Sequence, residues 1–251
     1  MGKIVAFTNQ KGGVGKTTTC LNMACALHDR GKRVLICDCD PQGNCTSGIG
    51  VDKHTSPNIY DVLINGSPAE EAVVATKWGE IIPSNKDLSG ASVELLELED
   101  GSHVLKEALA PIRDNYDYIF IDCPPSLEIL TINAFAAADS AIVPVQCEYF
   151  ALEGLADLTT TLKITNQKLN PRLYIEGIVL TMFDSRTNFS NEVAEEVTKY
   201  FGDKVYKTYI PRNVRLAEAP SHGKPIIAYD RMSKGSRAYL RLANEFLKKQ
   251  I

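Results

Sequence analysis

The stretch "KGGVGKTT" (11–18) constrains the fold more than any other segment of the chain. It follows "KIVAFT" (3–8), an apolar run that reads as a β-strand. It opens "KTTTCLNMACALHDRG" (16–31), whose apolar positions recur at helical spacing and which stops at Gly31. A strand, a glycine-rich turn and a helix beginning Lys-Thr-Thr make a phosphate-binding loop. The glycines let successive backbone N–H groups curl toward one point, and the helix N-terminus adds its dipole. Gly12, Gly13, Val14 and Gly15 are the expected cradle. Lys16 is expected to neutralise β- and γ-phosphate charge, Thr17 to present its hydroxyl to Mg²⁺, and Thr18 to reach a neighbouring phosphate. Gln10 stands where the usual pattern has its first glycine, and Lys11 follows it. The cradle does not need a cation there. Lys11 is either a plain surface lysine or a charge projecting from the lip of the site toward a partner's phosphates.

Two acidic segments belong with the loop. "YDYIFID" (116–122) is a buried-type strand that delivers Asp122 at its C-terminal end, the usual placement for a carboxylate that holds Mg²⁺ or its water. "RVLICD" (33–38) is a second strand and runs into "CDPQGN", with Asp38 and Asp40 two residues apart. Asp40, at the mouth, is placed to align an attacking water and to join the metal site. Asp38 reads as a helper to the metal site or the loop. Either acid alone could be a strand-end cap.

Further along the chain, "SAIVPVQ" (140–146) and "LYIEGIVLT" (173–181) read as strands, as do "KVYKTYI" (204–210) and, more weakly, "EIIPS" (80–84). Residues 93–112, 126–138, 191–201 and 236–249 read as helices. Strands apolar on both faces, joined by helical crossovers, require a mainly parallel sheet covered on both sides. No linker or repeat divides the chain. The expected architecture is an α/β P-loop NTPase fold: one doubly wound, mainly parallel, twisted sheet with helices on both faces, a single domain over residues 1–251.

Composition narrows the class. The seven cysteines include no C-x-x-C pair, so they are expected to act as small hydrophobes in a reducing compartment. No run approaches the roughly 18 apolar residues of a membrane span, and the N-terminus lacks signal-peptide features, so a cytoplasmic location is expected. Net charge is −4, which argues against a general nucleic-acid binder. It is unevenly placed, however: residues 172–251 carry a net +5, whereas residues 1–171 carry −9.

The residues quoted above, with "DYIFIDCPPSL", "GIVLTMFD" and "IPRNVRLAEAPSHGKPI" (210–226), resemble the deviant Walker-A ATPases, and within them the ParA/Soj chromosome- and plasmid-partitioning family. The last block is the most specific, because sibling families share the loop but not this stretch. The likeness covers almost the whole chain and corresponds to the short type, without an N-terminal helix-turn-helix domain. The resemblance implies a weak ATPase that is a monomer when empty and a sandwich homodimer around two ATP·Mg²⁺. It gives Lys11 a role across the dimer interface and requires Gly12 to let two loops approach. It makes Asp40 the acid controlling hydrolysis and Asp122 the Mg²⁺-site acid. It places Met182, Pro211 and Asn213 around adenine. It further implies sequence-independent binding of double-stranded DNA by the ATP dimer in a nucleoid-associated state, and stimulation by a ParB-like centromere-binding protein. Arg186, Arg215, Lys224 and Arg237 are the expected phosphate contacts, and Arg212 could serve the nucleotide instead.

Other readings make different demands. A MinD-like membrane ATPase needs an inserting C-terminal helix, but the apolar face of "YLRLANEFLKKQI" is more simply explained by docking on the sheet. A dethiobiotin synthetase-like or amidoligase-like enzyme needs a dedicated substrate pocket. An iron–sulfur reductase needs cluster cysteines, and Cys123 directly after Asp122 is not at that spacing. A nucleotide-gated scaffold needs a dead site, which Lys16, Asp40 and Asp122 do not suggest.

Overall fold

The computed structural model describes residues 1–148 and 151–250. Seven strands form one sheet: β1 (Lys3–Phe7), β2 (Val34–Asp38), β3 (Val74–Thr76), β4 (Gly79–Ile82), β5 (Tyr118–Asp122), β6 (Ser140–Gln146) and β7 (Tyr174–Thr181), in the order β3-β4-β2-β5-β1-β6-β7. Every neighbouring pair is parallel except β3–β4, a short antiparallel hairpin at one edge. β2 and β5 are buried at every position, as strands covered on both faces must be.

Two hydrophobic layers flank the sheet. One face carries α3 (Ile59–Leu63), α4 (Leu88–Glu97), α5 (Val104–Leu109), α6 (Ile129–Ala137), α7 (Ala151–Lys168) and α8 (Asn188–Phe201), packed on side chains such as Leu35, Ile119, Ile121 and Val143. The other carries α1 (Lys16–His28), α10 (Ile226–Tyr229) and α11 (Lys234–Lys249), packed on Val5, Phe7, Ile36, Phe120 and Val179. The short helices α2 (Asn44–Gly48) and α9 (Val214–Glu218) lie in the loops above the C-terminal strand ends. The apolar stripe of α11 — Ala238, Tyr239, Leu242, Ala243 and Phe246 — is wholly buried, with Phe246 edge-on to Tyr118 and Phe120. That face is therefore occupied by the sheet and cannot also insert into a lipid surface. No helix among the described residues is long and apolar enough to cross a membrane. All seven cysteines are buried and free of disulfides, and burial pushes the thiols of Cys20, Cys25 and Cys123 well up, as expected of small hydrophobes.

Two expectations need correction. Residues 93–112 do not form one helix: α4 ends at Glu97 and α5 begins at Val104, with Gly101 between them at a point where a Cβ would collide with the Leu95 carbonyl. Residues 204–210 are not a strand either. They run beside β7 and touch it through the amides of Tyr206 and Ile210, which donate to Ile178 and Leu180. The amides of Lys207 and Thr208 turn away to the Glu245 carboxylate on α11, at 2.7 and 3.0 Å, and this breaks the ladder.

At the N-terminal ends of the strands, Glu176 is 7% exposed and accepts bonds from Lys3, Ser140, Tyr174 and Gln250. This network ties β1, β6, β7 and the end of α11 together. Burial works to raise the Glu176 carboxyl, but its bonds to Lys3 and Gln250 outweigh it and hold the group below the usual range.

Candidate nucleotide site

The parallel register stacks the site at the C-terminal strand ends. Phe7, Asp122 and Asp38 are register partners across β1, β5 and β2. The phosphate loop leaves β1 between these two acids and β6. It is braced from below: Asn9 donates to the Pro144 carbonyl at 2.8 Å, and the Thr181 hydroxyl donates to the Val14 carbonyl at 2.8 Å. Gly13 and Gly15 adopt φ of +77° and +88°, left-handed values at which a side chain would be strained. Gly15 is also the N-cap of α1 and offers no side chain to its first N–H groups. Those donors are left for an anion.

Lys16 is 6% exposed and reaches back to donate to the Lys11 carbonyl at 3.1 Å, so its ammonium closes the loop. Burial lowers its pKa, while Asp122, Cys123 and Asp40 pull the other way. Thr17 and Thr18 are half-buried at the start of α1, beside Lys16.

Asp122 is fully buried, and neither carboxylate oxygen completes a hydrogen bond. Burial, reinforced by Asp38, drives its pKa well up; the Thr17 hydroxyl lies against it and favours the charged form without reaching bonding geometry. An orphaned buried carboxylate next to a threonine hydroxyl and a lysine is costly unless something cationic satisfies it. This donor set fits Mg²⁺, a hard cation that takes oxygen ligands.

Asp38 behaves differently. It accepts from the Thr46 amide and hydroxyl at 2.8 and 2.7 Å and from the Asp40 amide at 3.2 Å. Burial raises it to about 6. It is therefore the anchor of the Asp40 loop, one of the two helper roles its position suggests. Asp40 is 7% exposed; its Oδ1 accepts the Gln42 amide at 2.9 Å, and its carbonyl accepts the Ser84 hydroxyl at 2.8 Å.

Two adjoining cavities open at this edge. One of about 300 Å³ is lined by Gly12, Gly13, Lys16, Thr17 and Asp40, with Gln42, Asn44 and Pro125. The second, about 290 Å³, shares Gly15, Thr18 and Met182 with the first and is walled by Pro211, Arg212, Asn213 and Leu216. A polar compartment and a more apolar one, meeting at the first turn of α1, match the two halves of a nucleotide. Met182 sits at their junction with φ of +50°, the one non-glycine residue among those described in the left-handed region. The strap 210–213 is held by Phe183, whose amide donates to the Ile210 carbonyl at 3.0 Å and whose carbonyl accepts the Arg212 amide at 3.3 Å. Asn213 caps α9 through the Arg215 amide. The sequence reading did not single out Asn44, Gln42 or Pro125, although "DCDPQGN" and "DCPPSL" flank the two acids. A cavity of about 510 Å³, larger than either, lies between the end of α1 and β4 at the opposite end of the sheet and holds none of these groups.

Lys11 is exposed at the lip, its amide held by Asn9 at 3.0 Å and its ammonium paired with Glu148 of the same chain. Among the described residues, a Cβ on Gly12 or Gly13 would meet nothing within 4 Å. The other cations lie elsewhere. Arg186 is bonded to Asp184 at 2.7 and 2.9 Å; Arg215 is bonded to Glu218 at 2.9 Å; Lys224 and Arg237 are exposed. Arg237 lines a concavity of about 230 Å³ with Lys234, Arg241 and Tyr209.

The strand order, the glycine cradle and the buried lysine–acid set define a P-loop nucleoside-triphosphatase fold. A family model described as an AAA domain matches residues 2–175. The chain is 55% identical over 248 residues to the sporulation initiation inhibitor protein Soj of Bacillus subtilis, covering 98% of each chain. It is 50% identical over 253 residues to the chromosome partitioning protein ParA of Caulobacter vibrioides, covering 99% of this chain and 95% of that one. The chain belongs to the Soj/ParA family of chromosome-partitioning ATPases. Among solved structures it resembles cobyrinic acid a,c-diamide synthase of Mycobacterium smegmatis with bound ADP and magnesium, at TM-score 0.87 and 36% identity, covering 100% of this chain and 96% of that one. It also resembles the cell division ATPase MinD of Pyrococcus furiosus, at TM-score 0.81 and 28% identity, covering 99% of both.

Proposed function

We propose that the chain is a nucleotide-switched partitioning ATPase: it binds ATP with Mg²⁺, pairs with a second copy, holds duplex DNA without reading its sequence, and resets on hydrolysis. The observation that carries this is the buried, unsatisfied Asp122 beside Thr17 and Lys16, under a cradle of free N–H groups. Mg²⁺ supplies charge neutralisation between phosphate oxygens, and Thr17, Asp122 and Asp40 are the residues that would hold it or its waters. Lys16 and the α1 N-terminus bind the phosphates. Pro211, Asn213 and Met182 position the base. Asp40, tethered by Ser84 and anchored through Asp38, orients the attacking water.

Lys11 leaves Glu148 and lends its charge to the partner's nucleotide. At about 4 Å such a contact is worth about 4 kcal/mol at an effective dielectric of 20. It exists only when ATP is bound and the dimer closed. Among the described residues nothing lies within 4 Å of a Cβ on Gly12 or Gly13, which supports close approach of a second loop. Arg186, Arg215, Lys224 and Arg237 face duplex phosphates, contacts that position without specifying. The Arg186 and Arg215 ion pairs are exposed and surrender little when they open. A ParB-like protein stimulates turnover.

Light scattering with a slowly cleaved ATP analogue and Mg²⁺, beside duplex retention with ADP, ATP and no nucleotide, tests the whole cycle. Dimers and retention with the triphosphate alone are expected; a monomer that ignores DNA would refute it. The amidoligase alternative loses ground to relatives at 50% identity that are named for chromosome partitioning and are matched over 89–95% of their length.

A further inference from the structure

Helix α4 carries an anomaly that neither the sheet nor the nucleotide site accounts for. Val93 is 63% exposed, Leu96 71% and Leu98 49%. Val93 and Leu96 are one turn apart and share a face of the helix. Leu88, Ala91 and Leu95, on the opposite side, are fully buried against the core. Single exposed apolar residues are ordinary, but here two share a helix face and Leu98 follows them at the extended C-cap of α4, so that three of six consecutive positions are exposed and apolar, and such clusters mark interaction sites.

The ridge is acidic at its edges. Residues 88–102 contain Glu94, Glu97, Glu99 and Asp100 and no Lys or Arg. Glu94 is held by the Tyr60 hydroxyl and Asp100 by His103; Glu97 and Glu99 are exposed. Water and anionic surfaces are poor covers for such a strip. A helical segment with apolar residues on one side and Lys or Arg beside them complements it in both respects.

The position of α4 connects the ridge to catalysis. Ser84 lies four residues before the helix; its hydroxyl donates to the Asp40 carbonyl at 2.8 Å and its amide donates to the Thr46 hydroxyl at 2.8 Å. Thr46 in turn bonds Asp38, the anchor of the same loop. Ser84, on the segment leading into α4, is thus tied by one hydrogen bond to the backbone of Asp40 and by a second to Thr46.

We propose that the Val93–Leu96–Leu98 ridge is the docking surface for a basic amphipathic segment of the ParB-like partner, and that its occupation acts on hydrolysis through the Ser84 tether to Asp40. This rests on the partner reading above.

The test uses the full chain and the purified ParB-like protein of the same organism. The double variant V93S/L96S changes only exposed positions, so an unchanged melting temperature is expected. It should keep unstimulated ATP turnover, ATP-dependent dimers and duplex retention within about twofold, and lose at least tenfold in partner affinity together with the stimulation. E97K/E99K should weaken partner binding independently and flatten its salt dependence. S84A should bind the partner normally yet respond with little stimulation. Normal stimulation of V93S/L96S would overturn the docking site. Loss of the ATP dimer in that variant would show that a second copy covers the ridge, and would overturn the assigned occupant. A wild-type chain whose turnover ignores the ParB-like protein would instead sink the partner reading itself, a result separable from both.

Discussion

Asp122 illustrates how a single residue can be a liability to the fold and, under the proposed function, a requirement of the site. Its carboxylate is buried with no hydrogen bond, a situation that costs about 1–3 kcal/mol for a neutral group and more for a charged one. Asp122→Asn is therefore expected to stabilise the empty chain by about 1–3 kcal/mol, read as a rise in melting temperature, while weakening Mg²⁺-dependent nucleotide binding. A variant that melts lower than wild type would show that Asp122 is satisfied in the empty protein. The neighbouring acid should respond differently. Asp40 is hydrogen-bonded and lies at the cavity mouth, so Asp40→Ala should still give an ATP dimer that retains DNA, with turnover lower by roughly 10²–10⁴. Normal phosphate release would remove its water-aligning role. Lys16→Ala loses the one buried ammonium of the cradle, and equilibrium binding of a fluorescent ATP analogue should fall at least about 100-fold. Lys11→Ala leaves the cradle intact; nucleotide binding should persist while light scattering finds only monomers.

At the scale of elements, the Glu176 cluster decides how the two ends of the chain are held. Its carboxyl is held low by Lys3 and Gln250 against the pull of burial, so its contribution is present above the unfolded carboxylate range and is lost as pH falls through the folded value. Lys3 is raised: burial opposes this, and the bonds to Glu176 and Tyr174 prevail, so its contribution disappears only at strongly alkaline pH. Glu176→Gln should cost about 1–3 kcal/mol at neutral pH, less than a fully buried pair because Lys3 is partly exposed, and should flatten the stability curve below about pH 4.3. Equal acid slopes for variant and wild type in urea melts would dismiss this assignment. Nothing in the sequence marks Glu176 for this role, since its partners come from positions 3, 140, 174 and 250. Strands with apolar residues on both faces were legible, because burial on two sides writes itself into every position. The segment 204–210, rich in Val, Tyr, Thr and Ile, also reads as a strand, but its pairing was decided by Glu245, some 38 residues away along the chain. The phosphate loop, Asp40 and Asp122 were legible because each depends on its own strand end. Asn44 and Gln42 were not, because their place at the cavity follows from how the Asp38-anchored loop folds back.

For the whole molecule, the decisive property is the division of charge. Residues 1–171 carry a net −9 and contain the phosphate loop, the acids and the acidic ridge on α4; residues 172–251 carry a net +5. A monomer with a net charge of −4 is repelled by duplex DNA as a whole and attracted only through its basic part. If each copy makes about three phosphate contacts, a monomer's salt slope is about −3 and a dimer's about −5, from roughly −0.9 per contact. Affinity for the dimer should then fall about 10³-fold between 50 and 200 mM salt. Under the proposed function, ATP would switch DNA retention by doubling the contacts, with no change in the shape of the binding surface. The prediction is specific: the slope of log affinity against log salt should be nearly twice as steep with the ATP analogue as with ADP, and Lys11→Ala should show the ADP slope with either nucleotide. Arg237→Ala should flatten the ATP slope by about two, one contact from each copy. A slope that is the same with ADP and ATP while affinity differs would mean that the nucleotide reshapes the DNA-binding face of a single copy rather than pairing two.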